Sequence, residues 1–150
     1  MDGEETPKQI GQKSEAIVMA ELVRRNITVL QPFGDSERYD LVVDSNDDFH
    51  RIQVKTARIY DGRIVIELRS TGVNAHSTEH TPYTEDEIDF FAGYCFERDE
   101  TYIIPVEETG NTKMTLRFEG SIESLDGVGM GVRIEGLRAW SGQFRWWKPV

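Results

Sequence analysis

Arg38-Tyr39-Asp40-Leu41-Val42-Val43-Asp44 and Phe49-His50-Arg51-Ile52-Gln53-Val54-Lys55-Thr56-Ala57 are two strand-like runs separated by Ser45-Asn46-Asp47-Asp48. The separating residues are turn formers, so residues 38–57 are expected to form a hairpin. A loop centred between Asn46 and Asp47 sets Leu41 against Ile52 and Tyr39 against Val54, which makes an apolar face. The same register sets Asp40 against Gln53 and Arg38 against Lys55. Asp40, Gln53 and Lys55 then share the other face. Opposed positions lie about 5 Å apart, close enough for two oxygens to hold one cation. A loop of odd length would break this register.

Upstream, residues 6–26 carry helix signals. Thr6, Pro7 and Gln9 fit the N-cap, first and third positions of a capping box. Gly11, Glu15, Val18 and Leu22 follow at spacings that put them on one face. That face is apolar apart from Glu15, and a carboxylate on a core-facing stripe is costly unless something compensates it. Packed against the hairpin, Glu15 would point at the same site as Asp40. Gly11, one turn earlier, would permit close backbone approach.

Downstream, Asp61-Gly62 marks a turn before a strand from Arg63 to Arg69. Residues 70–82 are polar and read as a loop. Thr84 and Glu87 fit the cap of a single helical turn. Residues 88–96 and 101–106 read as a second hairpin turning at Arg98-Asp99-Glu100. Thr115 to Phe118 reads as a short strand, and Gly127 to Gly131 as a turn. The expected organisation is one domain over residues 1–150 with a distinct aromatic tail, 138–150. The tail holds Phe144, Trp146 and Trp147 beside Arg145 and Lys148.

A helical Glu, a strand Asp and a following strand reading (Asp/Glu/Gln)-x-Lys are, in this chain, Glu15, Asp40 and Gln53-Val54-Lys55. This pattern resembles the PD-(D/E)XK nuclease superfamily. The wider text is similar to the branch of group I intron-encoded homing endonucleases and related archaeal nucleases. It includes Tyr39-Asp40-Leu41-Val42, Ile52-Gln53-Val54-Lys55-Thr56, and Tyr83 with Ile88-Asp89-Phe90-Phe91-Ala92-Gly93-Tyr94. The core is also similar to archaeal Holliday-junction resolvases. The resemblance covers about residues 10–106 and leaves out the tail. It implies an α/β fold with a restriction-endonuclease-like core, a mixed central sheet flanked by helices. Two departures stand out: Tyr39 takes the place of the Pro, and Gln53 takes the place of the usual acid.

The resemblance implies a metal-dependent DNA endonuclease of homing, junction-resolving or repair type. Mg²⁺ is the expected metal, with Mn²⁺ as the alternative. Phosphodiester hydrolysis needs an activated water and relief of charge at phosphorus. A hard cation held by Asp40, Gln53 and the Val54 carbonyl, with Glu15 adding charge, would serve both needs. Lys55 would orient the water or stabilise phosphate oxygens. Each residue alone has a plain reading as a solvated strand or helix-edge residue; the ordered set carries the inference. The competing function is an inactive DNA-binding or structural module that keeps the fold, with Gln53 as the mark of lost activity.

Arg24, Arg25, Arg58, Arg63, Arg69, Arg145 and Lys148 are candidate DNA contacts, although most such residues are ordinary surface charges. Trp146 and Trp147 could stack on bases or pack at a dimer interface. His50, His76 and His80 read as surface residues rather than ligands. Cys95 is the lone cysteine, which leaves no intramolecular disulfide and no cysteine-based zinc site. The net charge is −10, and only five of the 17 basic residues are lysine. A field of that sign disfavours nucleic acid at moderate salt. Such a composition also looks like that of halophilic proteins, whose surfaces work where salt screens charge over ~3 Å at about 1 M. The expected location is cytoplasmic, with no signal peptide and no membrane span. The expected partners are DNA and a second copy of the chain, in a homodimer or higher homo-oligomer.

Overall fold

The computed structural model describes residues 3–45, 48–74, 77–109, 112–116 and 132–133. The turn residues Asn46 and Asp47, His76, the Gly127–Gly131 run and the tail with Arg145 and Lys148 lie outside the described residues.

Helix α1 spans Pro7–Arg24 and begins with the expected capping box: Thr6 and Gln9 exchange backbone-to-side-chain hydrogen bonds in both directions. It ends where Asn26 turns into the left-handed region at φ 60°. Val18 and Leu22 are fully buried. The close approach falls at Ser14 rather than Gly11. A Cβ at Gly11 would meet nothing within 4 Å, while buried Ser14 shares a 2.7 Å hydroxyl hydrogen bond with Thr56. A small hydroxylated side chain lets the helix sit on the sheet with its polar group satisfied.

Among the described residues ten strands follow: β1 (Thr28–Leu30), β2 (Leu41–Ser45), β3 (Asp48–Tyr60), β4 (Arg63–Glu67), β5 (Ser70–Asn74), β6 (Ser77–Thr81), β7 (Phe90–Cys95), β8 (Glu100–Pro105), β9 (Lys113–Leu116) and β10 (Val132–Arg133). The main sheet runs β1-β2-β3-β7-β8-β10, with β4 also on β3 and β9 on β4. It is mixed: β3 and β7 are parallel, and the other pairs are antiparallel. Among the described residues the flanking layer is the single helix α1.

Residues 70–82, expected as a loop, instead form a separate antiparallel hairpin, β5–β6, with five residue pairs from Ser70–Thr81 to Asn74–Ser77. The run is rich in Ser and Thr, and Thr in particular favours strands. Its lack of apolar alternation hid the strands from a reading based on hydrophobic period.

The strands bury a core on each face. Leu41, Val43, Ile52, Val54, Phe90, Ala92 and Ile103 pack under α1 with Val18 and Leu22. Ala57, Ile64, Ile66, Leu68, Ile88, Phe91, Cys95, Ile104 and Met114 form the second cluster. The alternation follows from the strand period of two. Cys95 is fully buried, the small core residue that its apolar neighbourhood suggests. No helix among the described residues is long and apolar enough to cross a membrane.

Candidate active site at a fork in the sheet

The 13-residue strand β3 carries the site. Ile52 pairs with both Leu41 of β2 and Phe90 of β7. Ala57 pairs with both Ile66 of β4 and Cys95 of β7. A strand residue has one partner per edge, so β2 and β4 occupy the same edge of β3, opposite β7. Between their ladders lies the stretch 53–56, which holds Gln53, Val54 and Lys55. The backbone groups of this fork would otherwise lack a ladder partner, and the protein satisfies them with side chains.

The hairpin register is the expected one from Leu41–Ile52 to Ser45–Asp48. It departs at Asp40. The Asp40 N–H donates to the Ile52 carbonyl at 2.9 Å rather than to a carbonyl of Gln53. The Asp40 carboxylate then accepts the Val54 N–H, also at 2.9 Å. Asp40 is therefore joined to the Gln53–Lys55 stretch through its side chain and not through a continued ladder. Tyr39 correspondingly leaves the expected apolar face and packs against the second core cluster. Turn signals set a register only while the ladder continues, and here it ends one residue early.

Glu15 comes from α1 to the same place. Gln31 donates to its Oε1 at 3.3 Å. A cleft of about 260 Å³ opens in front of Glu15 and Asp40, lined further by Gln31, Pro32, Gly34, Asp35, Glu37 and Tyr39. Four carboxylates line it, and no Lys or Arg does. Burial raises the Glu15 carboxyl above its ordinary range, and the neighbouring Asp40 charge raises it further. Burial also raises Asp40, while the Val54 N–H and the Lys55 charge pull it back. Both shifts are dominated by burial, with the Asp40 charge adding to that of Glu15.

Gln53 and Lys55 lie outside the lining of this cleft and adjoin it through Asp40 and Val54. The Gln53 Nε2 donates to the Val54 carbonyl at 3.3 Å. A half-turn of the amide would present its Oε1 there instead. Lys55 Nζ donates to the Arg69 carbonyl at 3.0 Å and approaches the Tyr83 hydroxyl at 3.5 Å. Burial drops Lys55 to about 8, with Arg38 lowering it and Asp40 and Glu67 opposing.

The donor set suits a hard divalent cation. Two carboxylates, an amide and a backbone carbonyl supply only oxygen, which fits Mg²⁺ or Mn²⁺ and not zinc. Although four carboxylates line the cleft, no three His, Cys, Asp or Glu among the described residues come together in a way that could hold a metal ion. Were Glu15 and Asp40 to hold a cation, its further ligands would have to include neutral oxygens, such as those of Gln53 and Val54.

Among the described residues, the candidate DNA contacts fall on separate elements. Arg24 and Arg25 both pair with Glu21 at the end of α1, at 2.8 and 2.6 Å. Arg58 and Arg63 are exposed on the distal part of the β3–β4 ladder. Arg69 pairs with Glu67 at 2.9 Å, and its contribution at the fork is its carbonyl. Arg38 was not among the candidates, yet it lies at the fork: its guanidinium stacks 4.0 Å over the Tyr83 ring. Its place beside Lys55 was the available signal, since the register set those two residues opposite each other.

A family model for the PD-(D/E)XK endonucleases matches residues 5–125, most of the chain and all of the fork. The chain belongs to the PD-(D/E)XK endonuclease family. Its structure is similar to that of a bacterial homing endonuclease, I-Ssp6803I, with a TM-score of 0.68 and 24% identity. That match covers 81% of this chain and 85% of the other. The comparison with curated proteins finds no match. The α/β fold with a restriction-endonuclease-like core is therefore that of this PD-(D/E)XK family member.

Proposed function

We propose that this PD-(D/E)XK protein is a Mg²⁺-dependent DNA endonuclease whose site is Glu15, Asp40, Gln53, Val54 and Lys55. The observation that carries the reading is the acidic cleft, whose four lining carboxylates would repel a DNA phosphate on their own. A divalent cation would offset part of that charge and give the phosphate oxygens a positive centre to bind. Glu15, Asp40, the Gln53 amide oxygen and the Val54 carbonyl would hold it, and a bound cation supplies charge relief at phosphorus and a more acidic water.

The chain's own residues do the rest. Asp40 ties the site to the backbone of β3 through the Val54 N–H. Gln31 orients Glu15. Lys55 presents an amine beside Asp40, positioned to stabilise phosphate oxygen or to orient water. Mn²⁺ fits the same oxygens.

The competing reading, an inactive DNA-binding or structural module, draws on Gln53, whose amide brings no charge and turns its nitrogen to the Val54 carbonyl. Duplex cutting needs both strands addressed, so a homodimer or higher homo-oligomer is the expected form. Arg58 and Arg63, exposed on the distal part of the β3–β4 ladder, remain candidates for DNA backbone contact.

The test is incubation of pure protein with linear, supercoiled and four-way-junction DNA in Mg²⁺, Mn²⁺ or EDTA across salt concentrations. Cleavage in metal and none in EDTA is expected. DNA binding that needs no metal, with no cleavage in any condition, supports the inactive module instead. Mass measured with and without DNA decides the oligomeric state.

A further inference from the structure

The side chain of Lys55 reaches the fork across a wall built by Tyr83. The Tyr83 ring meets Phe91 edge-on, with centroids 5.5 Å apart and planes at 88°. Arg38 covers it at 4.0 Å. Arg38 is itself pinned by Glu87 at 3.1 Å, by the Ser70 hydroxyl at 2.8 Å and by the Pro82 carbonyl at 2.8 Å. The ring is thus fixed on two sides before Lys55 is considered. Lys55 Nζ lies 4.8 Å from the ring centroid and 3.5 Å from the hydroxyl. Its other acceptor among the described residues is the Arg69 carbonyl, at 3.0 Å. An ammonium has three N–H donors. Two of them have acceptors among the described residues, which leaves one for a phosphate oxygen or a water.

We propose that Tyr83 is a positioning residue for Lys55, its ring and hydroxyl acting with the Arg69 carbonyl to aim the free N–H of Lys55 at the substrate side of the fork. A lysine has four rotatable side-chain bonds, and its rotamer freedom is costly to remove during reaction. A rigid ring removes it in advance, which is the preorganisation that a charge-stabilising group needs. Arg38 serves the wall from behind. Held by three partners, it keeps the ring from swinging away. The inference rests on the endonuclease reading above, because it assigns Lys55 a role in cleavage.

The test compares wild type, Tyr83→Phe and Tyr83→Leu. Single-turnover cleavage is measured at saturating DNA and Mg²⁺, DNA affinity in Ca²⁺, and unfolding by thermal melt. Tyr83→Phe keeps the ring and loses the hydroxyl, so its rate should fall about threefold to tenfold, the size of one hydrogen bond. Tyr83→Leu removes the wall and should slow cleavage roughly 100-fold, the effect of a small misplacement of a catalytic group. DNA affinity should stay within about twofold in both variants, since most contacts to DNA go to its phosphates elsewhere.

A second readout is independent of activity. With only five lysines in the chain, the ε-CH₂ signal of Lys55 can be resolved in [¹³C]lysine-labelled protein and assigned by its loss in Lys55→Arg. It should be ring-shifted in wild type and move to the free-lysine position in Tyr83→Leu. Wild-type cleavage rates in both variants, a rate loss matched by lost DNA affinity or lower melting temperature, or an unmoved Lys55 signal in Tyr83→Leu would each overturn the proposal. A wild type that cuts no DNA in any metal overturns the endonuclease reading itself, an outcome visible before any variant is made.

Discussion

Asp40 shows how one side chain can serve the fold and, on the proposed reading, the chemistry as well. Its carboxylate caps the Val54 N–H where the β2 ladder ends, and it faces Glu15 across the cleft. The two roles separate by substitution. Asp40→Asn keeps an oxygen for the Val54 N–H and removes the charge, so it should abolish cleavage and leave the fold intact. Asp40→Ala also orphans that amide, at a cost of about 1–3 kcal/mol. Thermal melts of the two metal-free variants should therefore differ, with Asn the more stable.

The pH dependence follows the same logic. Glu15 and Asp40 both have raised pKa values in the folded protein. Their protonated forms favour folding, and that contribution is lost as pH rises through the raised values. Metal-free wild type should gain stability from these two groups on moderate acidification from neutral pH. Asp40→Asn should show a smaller gain, and an identical pH profile would contradict the assigned crowding. At this scale residue type, order and spacing proposed Glu15, Asp40, Gln53 and Lys55, of which Glu15 and Asp40 line one cleft and Gln53 and Lys55 adjoin it. In the sequence Tyr83 stands out only as part of the family-like text and Arg38 only as the residue opposite Lys55, because a wall residue's role depends on tertiary neighbours that spacing does not show.

Among the elements, β3 decides the architecture. Its central residues were legible as a strand, and so was their partner β2. The fork was not legible, because nothing local says that β4 returns to the same edge as β2. That follows from tertiary pairing at Ile52 and Ala57. The parallel neighbour β7 adds a packing constraint at Gly93, which pairs with Lys55. A Cβ there would lie 2.5 Å from the Cδ1 of fully buried Ile66. Gly93→Ala should destabilise the protein by about 1–3 kcal/mol, the usual cost of overpacking a filled core. Denaturant unfolding checks this. An unchanged midpoint would mean that Ile66 has room to turn aside. The helix α1 was legible almost to its ends, because capping boxes are local. The polar hairpin β5–β6 was missed because its strands carry no apolar alternation.

For the whole molecule, the net charge of −10 is the dominant fact. Self-repulsion should destabilise the compact state at low ionic strength and be screened as salt rises. The melting temperature should climb between 0.1 and 2 M KCl. A flat response would remove the basis for reading the acidity as adaptation to salt. On the proposed reading, the same field gives a cation at the fork a second role, easing the approach of an acidic protein to a polyanion at its cleft. Composition disclosed the charge. It could not disclose that Glu15, Asp35, Glu37 and Asp40 would line one opening.

The most direct measurement is Mg²⁺ titration calorimetry on wild type, Asp40→Asn and Gln53→Glu. If Asp40 and Gln53 hold the cation, Asp40→Asn should lose measurable binding. Gln53→Glu should tighten it roughly tenfold, ~1.4 kcal/mol, because an added carboxylate joins the donor set. Equal Mg²⁺ affinity in all three proteins would contradict the account.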